Sequence, residues 1–223
     1  MKNNPTIKNY WDRNSPAFTN QYRTIFGMPV SMVGIFLRLR QNKITKLLAG
    51  LSGKNVADIG CGSGVFMVEA VKQQRYVYGI DYSDQMLDIA RLKLKAYSSH
   101  RFKLIRADAV CLPLKTNDID IVIASGLTDY LTTLNLAKFL DEVARILRIK
   151  GFIIITFPKK DSLLAFLRIG VGLKLRKIFL KLPPMENSYR KLDIEKVLKE
   201  RGLHIQKLDE VFGTMWIVLA QKL

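Results

Sequence analysis

Cysteine and histidine are both scarce in this chain, which has 223 residues and only two of each. The two cysteines, Cys61 and Cys111, do not make a disulfide framework, so we expect a reducing compartment rather than a disulfide-stabilised secreted scaffold. No residues have the spacing of a metal-binding motif, and no set of serine, histidine and aspartate suggests nucleophilic catalysis. The sequence therefore predicts chemistry without a bound metal or a catalytic triad.

Long apolar runs are also missing. No uninterrupted run approaches the length of about 20 residues that spans a bilayer. The first residues, MKNNPTIKNYWDRN, lack the apolar stretch that is typical of a signal peptide. A content of 48% hydrophobic residues argues against global disorder. We therefore expect a globular cytoplasmic protein with one compact domain, or one domain with a small appendage.

Acidic residues are few relative to basic ones, with 19 against 36 and a net charge of +17. The excess is concentrated in two segments, +7 over residues 1–52 and +6 over residues 159–182, whereas residues 53–158 carry only +3. This distribution indicates either plain solubility or an anionic partner, which could be a membrane, a nucleic acid or a substrate.

The middle of the chain alternates between short apolar runs and amphipathic segments. The runs predict strands at Asn55–Gly60, Tyr76–Asp81, Phe102–Asp108, Ile119–Gly126 and Gly151–Pro158. Helices are predicted between them, including one after Ser83 as N-cap and one at Leu136–Leu147. Apolar strands that alternate with helices indicate a parallel sheet covered on both faces. After a last helix at Leu192–Gly202, two extended runs around Gly213 predict a terminal antiparallel hairpin.

Three glycines follow the first predicted strand in VADIGCGSGVF, at Gly60, Gly62 and Gly64. A glycine turn between a strand and a helix is where α/β folds bind ligands, because the backbone approaches the ligand closely and the helix offers free N–H groups. The pattern differs from the dinucleotide fingerprint in its third glycine, and no Gly-Lys-Ser/Thr phosphate loop is present. The turn alone therefore predicts a ligand site without naming the ligand.

Two carboxylates follow the next two predicted strands. Asp81 can accept hydrogen bonds from both ribose hydroxyls of a nucleoside, or it can simply begin the following helix. Asp108 can accept from an adenine amino group while Ala109 offers its N–H to a ring nitrogen, or it can be a surface residue in a turn. Met86, one turn into the second helix, either packs on the adenine face or belongs to the core.

Five motifs in order resemble the class I S-adenosylmethionine-dependent methyltransferases: VADIGCGSG, GIDYSDQML, RADAVCLPL, IDIVIASGLTDYL and LDEVARILRIKGFIIITFP. The resemblance covers about residues 54–158, and its overall pattern is closest to small-molecule enzymes of ubiquinone and menaquinone biosynthesis and to magnesium-protoporphyrin methyltransferases. It implies a Rossmann-like α/β fold with a seven-stranded, mostly parallel sheet of order 3-2-1-4-5-7-6, strand 7 antiparallel, and helices on both faces. One departure is RIKG at residues 148–151, where relatives usually carry a proline in the turn.

The resemblance also implies that the cofactor is S-adenosylmethionine, with S-adenosylhomocysteine as product and no metal. Residues 58–64 would cradle its methionine part, Asp81 would hold the ribose, Asp108 and Ala109 would read the adenine, and Ser125 would contact the amino end through its backbone. The predicted cofactor-binding residues are Asp58, Gly60, Cys61, Gly62, Ser63, Gly64, Asp81, Tyr82, Met86, Asp108, Ala109 and Ser125. Cys61 is interpreted as a packing residue of the turn rather than a nucleophile.

The acceptor side is less well marked. Asp129 and Tyr130, in SGLTDYL, are candidates for acid–base or positioning roles, with a helix cap and a packed ring as the alternatives. Residues 1–52 are predicted to form a helical cap over a methyltransferase domain at residues 53–223. Within this cap, Tyr10, Trp11 and Tyr22 are candidate lid and substrate residues, or else core-packing residues.

The second basic segment predicts an amphipathic insert at residues 159–184. On a helix, Lys174, Lys177 and Lys181 lie beside an apolar stripe, which is typical of an anionic membrane surface; alternatively the stripe docks on the domain. We therefore expect methyl transfer to a small, lipid-like or membrane-associated acceptor by a cytoplasmic enzyme with peripheral contact at the inner membrane face. The alternatives are a methyltransferase of RNA or another nucleic acid, a non-catalytic cofactor-binding module and a dehydrogenase.

Overall fold

A seven-stranded sheet forms the centre of the protein in a computed structural model that describes residues 12–13, 24–25, 28–29, 32–160 and 187–223. Numbering only this sheet, the strands are β1 Asn55–Ile59, β2 Tyr76–Asp81, β3 Phe102–Arg106, β4 Ile119–Ala124, β5 Leu147–Pro158, β6 Leu203–Val211 and β7 Met215–Lys222. Their spatial order is β3-β2-β1-β4-β5-β7-β6. β7 runs antiparallel to both neighbours and the other pairs are parallel. The predicted fold class and strand order are confirmed.

Helices cover both faces of the sheet. They are α1 Met32–Ala49, α2 Val65–Lys72, α3 Asp84–Leu94, α4 Thr133–Ile146 and α5 Lys191–Lys199, with single 3₁₀ turns at Ser99–Arg101 and Thr128–Tyr130. A short antiparallel pair, Thr24–Ile25 with Met28–Pro29, precedes α1. Among these described helices, none is both long and apolar enough to cross a membrane.

Two hydrophobic cores lie on opposite faces of the sheet because successive strand residues point to opposite sides. In β1, Ala57 and Ile59 belong to the core that α4 and α5 cover, whereas Val56 belongs to the core that α1, α2 and α3 cover. All three side chains are fully buried. Burial on both faces explains why the strands are nearly continuous apolar runs.

Two strands end earlier than the sequence predicts, which changes the setting of two predicted site residues. β3 ends at Arg106, so Asp108 lies in the turn beyond it, and its Oδ1 accepts the N–H of Val110 at 3.2 Å. Such a side-chain bond to the following backbone favours a turn over a strand. β4 ends at Ala124, so Ser125 follows the strand instead of ending it.

β5 begins at Leu147 rather than at Gly151, because the RIKG segment belongs to the strand as an irregularity. Ile119 pairs with Leu147 while Ile121 pairs with Phe152, so the register shifts between them. Lys150 adopts a positive φ of 63° within the shift. This irregularity lies at the edge of the sheet opposite the glycine turn, so the departure from the family pattern does not touch the predicted site.

α1 belongs to the same core as the sheet. Its Ile44 and Leu48 are fully buried, and Lys43 Nζ donates to Asp209 Oδ1 of β6 at 2.7 Å. At its end, Arg75 donates to the carbonyls of Leu48 and Leu51 at 2.9 and 2.6 Å, which satisfies carbonyls that a helix end leaves without partners. The division into a cap at 1–52 and a domain at 53–223 stays a prediction.

Candidate cofactor and acceptor site

The glycine turn after β1 is fastened to β2 by backbone hydrogen bonds. The N–H groups of Gly60 and Cys61 both donate to the carbonyl of Ile80, at 2.8 and 3.0 Å. The N–H of Gly62 donates to Oδ2 of Asp81 at 2.8 Å. The turn therefore has a fixed position at the carboxyl edge of the sheet, where parallel α/β sheets bind ligands.

At two positions of the turn the local structure favours glycine over other residues. Gly64 has a φ of 74°, and a Cβ atom there would lie 3.0 Å from Cβ of Ala90, so glycine lets α2 begin tightly against α3. Gly62 has a φ of 50°, and the nearest atom to a Cβ there would be Sδ of Met86 at 3.9 Å. Its side-chain position is therefore open, which suits a ligand that approaches the backbone.

Asp58 is the most unusual group of the site. Its carboxyl is buried at the end of β1, and its Oδ2 has no hydrogen-bond partner among the residues that the structure describes. Burial raises the pKa of Asp58 to about 8, the Asp81 carboxylate adds to the rise, and the backbone N–H of Met67 opposes it. A buried oxygen without a partner is costly, so the position fits a ligand with a cation or an N–H donor.

Asp81 joins the glycine turn to the start of α3. Besides the bond from Gly62, its Oδ1 accepts the N–H of Ser83 at 2.9 Å. Burial raises the pKa of Asp81, although the N–H groups of Ser83, Gly62 and Tyr82 act in the opposite direction. A carboxylate has about four acceptor positions, so Asp81 keeps capacity for ligand hydroxyls. Its assignment to the ribose is compatible with this geometry and stays a prediction.

The N-terminal segment reaches this site through Asp12. Oγ of Ser83 donates to Oδ1 of Asp12 at 2.6 Å and accepts the N–H of Met86 at 3.3 Å, which confirms Ser83 as the N-cap of α3. Asp12 is not among the predicted site residues, because no motif in the sequence marks it. The predicted lid residues Tyr10, Trp11 and Tyr22 lie outside the described residues.

A lysine also approaches the turn from α3. Nζ of Lys93 donates to Oγ of Ser63 at 2.8 Å, and burial lowers its pKa. Lys93 is not among the predicted site residues either. Met86, Ala90 and Lys93 are spaced by four and three residues, so helical periodicity already placed them on one face of α3.

The second and third strand ends lie together at the same edge. The N–H of Ala107 donates to the carbonyl of Asp81 at 3.2 Å, which holds the turn that carries Asp108 and Ala109 beside β2. Met86 is buried, and its Sδ lies 3.9 Å from the place that a Cβ of Gly62 would occupy. The structure thus brings the predicted ribose and adenine residues together.

Cys61 and Tyr82 complete the cofactor side. The Cys61 thiol is buried, and burial together with the charges of Asp81 and Asp58 raises its pKa well above the ordinary value. It therefore remains a thiol, in agreement with a packing role rather than a nucleophilic one. Tyr82 is half-buried between Asp81 and the N-cap.

The acceptor candidates lie after β4. The N–H of Gly126 donates to Oγ1 of Thr156 at 2.8 Å, and Oγ1 of Thr128 donates to the carbonyl of Thr156 at 2.6 Å, so the loop is tied to β5. Asp129 is buried in the 3₁₀ turn, whereas Tyr130 is half-exposed. Oγ of Ser125 is buried and has no hydrogen-bond partner within the described part of the chain.

Comparisons with known proteins agree with this geometry. Residues 56–151 match a family described as "Methyltransferase domain". The matched stretch contains the glycine turn, Asp81 and Asp108. It supports the resemblance of the sequence motifs to class I S-adenosylmethionine-dependent methyltransferases.

Two curated relatives have the same name. The demethylmenaquinone methyltransferase of Geobacillus stearothermophilus is 39% identical over 89 residues, which are 37% of this chain and 38% of the relative. That of Lactococcus lactis is 32% identical over 119 residues, 50% of this chain and 45% of the relative. These alignments cover less than half of either relative.

A solved structure has the same fold over nearly the whole chain. Magnesium protoporphyrin IX methyltransferase from Synechocystis PCC 6803, with bound S-adenosylhomocysteine, superimposes with a TM-score of 0.77. The match covers 99% of this chain and 100% of that chain, at 20% sequence identity. At this identity the comparison establishes a shared fold.

The raised pKa of Asp58 predicts a pH dependence of stability. Between about pH 4 and pH 8 the folded protein holds a proton that the unfolded chain has released, so the free energy of unfolding falls as pH rises. Asp58→Asn removes this titration. We expect the free energy of unfolding of the variant, relative to wild type, to increase from pH 5 to pH 8. The increase should be about 1 kcal/mol or more, because a shift of one pKa unit corresponds to about that energy.

Urea unfolding of the ligand-free protein at both pH values measures this difference. Asp120→Asn is the matched control. Burial raises the pKa of Asp120, but hydrogen bonds from Asn55, Lys54 and Arg148 outweigh it and lower the pKa, so Asp120 is ionised at both pH values. The cost of that substitution should be equal at pH 5 and pH 8. Parallel pH curves for wild type and Asp58→Asn would contradict the raised pKa.

Proposed function

We propose that the chain transfers a methyl group from S-adenosylmethionine to a small, lipid-like acceptor. The observation that carries the cofactor half is the buried Asp58 carboxyl beside the glycine turn, with an oxygen that lacks a partner among the described residues. S-adenosylmethionine has an ammonium group that would satisfy this oxygen and ribose hydroxyls that suit Asp81. The open position at Gly62 is compatible with a ligand against the backbone.

The cofactor supplies a methyl group on a cationic sulfonium, so the protein mainly has to align the acceptor and exclude water. In this proposal Asp58 and residues 60–64 hold the methionine part, Asp81 holds the ribose, and Asp108 with Ala109 contacts the adenine. The backbone of Ser125 contacts the amino end of the cofactor in the same proposal. In the same proposal Asp129, whose carboxyl is buried, takes or holds an acceptor proton.

Two independent similarities support a ring-containing hydrophobic acceptor. The curated relatives are named for demethylmenaquinone, and the similar solved structure is named for magnesium protoporphyrin IX. The sequence pattern of the basic insert adds support for contact with an anionic membrane surface. We therefore place the enzyme at the cytoplasmic face of the membrane, as a peripheral protein.

The chain leaves and re-enters the fold at neighbouring points around the insert. Lys159 and Tyr189 form an isolated parallel bridge, and the N–H of Lys160 donates to the carbonyl of Tyr189 at 3.1 Å. Residues 161–186 lie outside the described residues. Because its two ends are adjacent in space, the segment between them is removable in an experiment without stretching the domain.

The cofactor assignment predicts the effect of Asp81→Asn. Loss of the charged acceptor should weaken binding of S-adenosylmethionine about tenfold, or about 1.4 kcal/mol, in a calorimetric titration. Asp118→Asn, at the opposite edge of the sheet, should leave affinity unchanged. Equal affinity in wild type and Asp81→Asn would remove the ribose assignment. Binding of a nicotinamide dinucleotide in place of S-adenosylmethionine would favour the dehydrogenase alternative.

The membrane assignment predicts co-flotation of the protein with anionic vesicles and weaker flotation with neutral ones. Flotation should fall in high salt and in a variant with Lys174, Lys177 and Lys181 changed to Gln, because each basic residue near an anionic surface adds about 1 kcal/mol. Deleting Leu163–Leu182 should abolish it. No flotation of wild type would overturn membrane contact, and RNA binding with a steep salt dependence would favour the nucleic-acid alternative.

A further inference from the structure

Tyr189 is a buried tyrosine at the acceptor side of the sheet. It follows the insert, and its N–H donates to the carbonyl of Pro158, the last residue of β5, at 2.8 Å. Only 7% of the residue is exposed. Its carbonyl is also fixed, because it accepts the indole N–H of Trp216 at 3.3 Å.

The hydroxyl of Tyr189 has no hydrogen-bond partner among the residues that the structure describes. Burial raises its pKa to about 12, with Asn187 acting in the opposite direction and the nearby carboxylate of Asp129 adding to the rise. The Asn187 side chain, which acts on the phenol oxygen, also donates to the carbonyl of Leu131 at 2.7 Å. The hydroxyl therefore stays protonated and retains an unused donor, which is costly when buried.

The Tyr189 side chain packs among apolar side chains, with one carboxyl group nearby. The Phe157 ring packs against Tyr189 edge to face, with centroids 5.2 Å apart. Leu131 belongs to the same core and Trp216 packs against it. Asp129 follows β4 and Tyr189 follows β5, so both lie at the carboxyl edge of adjacent strands, beside the loop that the proposed function gives to the acceptor.

We propose that the Tyr189 hydroxyl donates a hydrogen bond to an oxygen atom of the acceptor and so fixes the orientation of its ring. This assignment rests on the proposed function and adds a binding residue to it. The required acceptor has an apolar ring with an oxygen that accepts a hydrogen bond, either a quinone carbonyl or a ring-bound carboxylate. The affinity of a ligand that has the ring but lacks the oxygen should not depend on the hydroxyl.

Binding of 1,4-naphthoquinone, 1-naphthoate and naphthalene tests the assignment directly, because naphthalene lacks the oxygen. Equilibrium dialysis against wild type and Tyr189→Phe should give about five- to tenfold weaker binding of at least one oxygen-bearing ring in the variant. Naphthalene affinity should be unchanged. Dependence of the quinone alone would identify a carbonyl, and dependence of the naphthoate alone would identify a carboxylate.

Trp216 reports the location of the quinone. The chain has two tryptophans, so Trp11→Phe leaves Trp216 as the single one, next to Tyr189. 1,4-Naphthoquinone should quench its fluorescence with the affinity found by dialysis. Tyr76→Phe is the matched control for Tyr189→Phe and should leave the affinity for all three ligands unchanged. Tyr76 begins β2 at the opposite edge of the sheet and packs against Tyr78.

A purely structural role would give a different pattern. If the hydroxyl served only packing, Tyr189→Phe would lower the free energy of unfolding and leave ligand affinity unchanged. We expect unchanged or greater stability in the ligand-free variant, because an unpaired buried donor is removed. The assignment would be overturned if Tyr189→Phe bound both the quinone and the naphthoate as tightly as wild type does. It would also be overturned if wild type bound neither ligand. Retained S-adenosylmethionine binding in the same preparation would separate that failure from failure of the proposed function.

Discussion

Two carboxyl groups at the ends of neighbouring strands, Asp58 buried and Asp81 half-buried, impose the main constraint on this fold. Burial raises the pKa of both groups, and the Asp81 carboxylate raises the pKa of Asp58 further. The protein offsets this at Asp81 with backbone N–H groups from Gly62 and Ser83. It offers Asp58 much less, since one buried oxygen has no partner among the described residues. A cationic ligand would supply what the chain leaves out.

The rest of the site depends on how this pair is held. The bond from Gly62 to Asp81 fixes the glycine turn, and the bond from Ser83 fixes the start of α3, which in turn contacts Asp12 of the N-terminal segment. The glycine turn, the end of β2, the start of α3 and Asp12 are therefore linked by a chain of hydrogen bonds. The loop after β4 and the return of the chain at Tyr189 are each bonded to β5, through Thr156 and Pro158, and these bonds are separate from those that hold the glycine turn.

The parts predicted from the sequence are those with a strong local signal. Apolar runs and the order of motifs predicted the sheet, and Ser83 was recognisable as an N-cap. Irregular backbone was not. The register shift at residues 148–151 depends on pairing with β4, and the early end of β3 depends on the bond from the N–H of Val110 to the Asp108 side chain, which no apolar pattern marks. The same holds for Asp12, Lys93 and Tyr189, whose positions depend on tertiary packing. The lid residues and the amphipathic insert remain sequence predictions.

Proton release on cofactor binding tests the central claim most directly. The account predicts that the ammonium group of S-adenosylmethionine lowers the pKa of Asp58, so at pH 7 binding should release up to one proton. Calorimetric titrations in phosphate and in Tris should then give different apparent enthalpies, more exothermic in Tris, and this difference should vanish in Asp58→Asn. Equal enthalpies in both buffers for wild type, or no binding, would contradict the account.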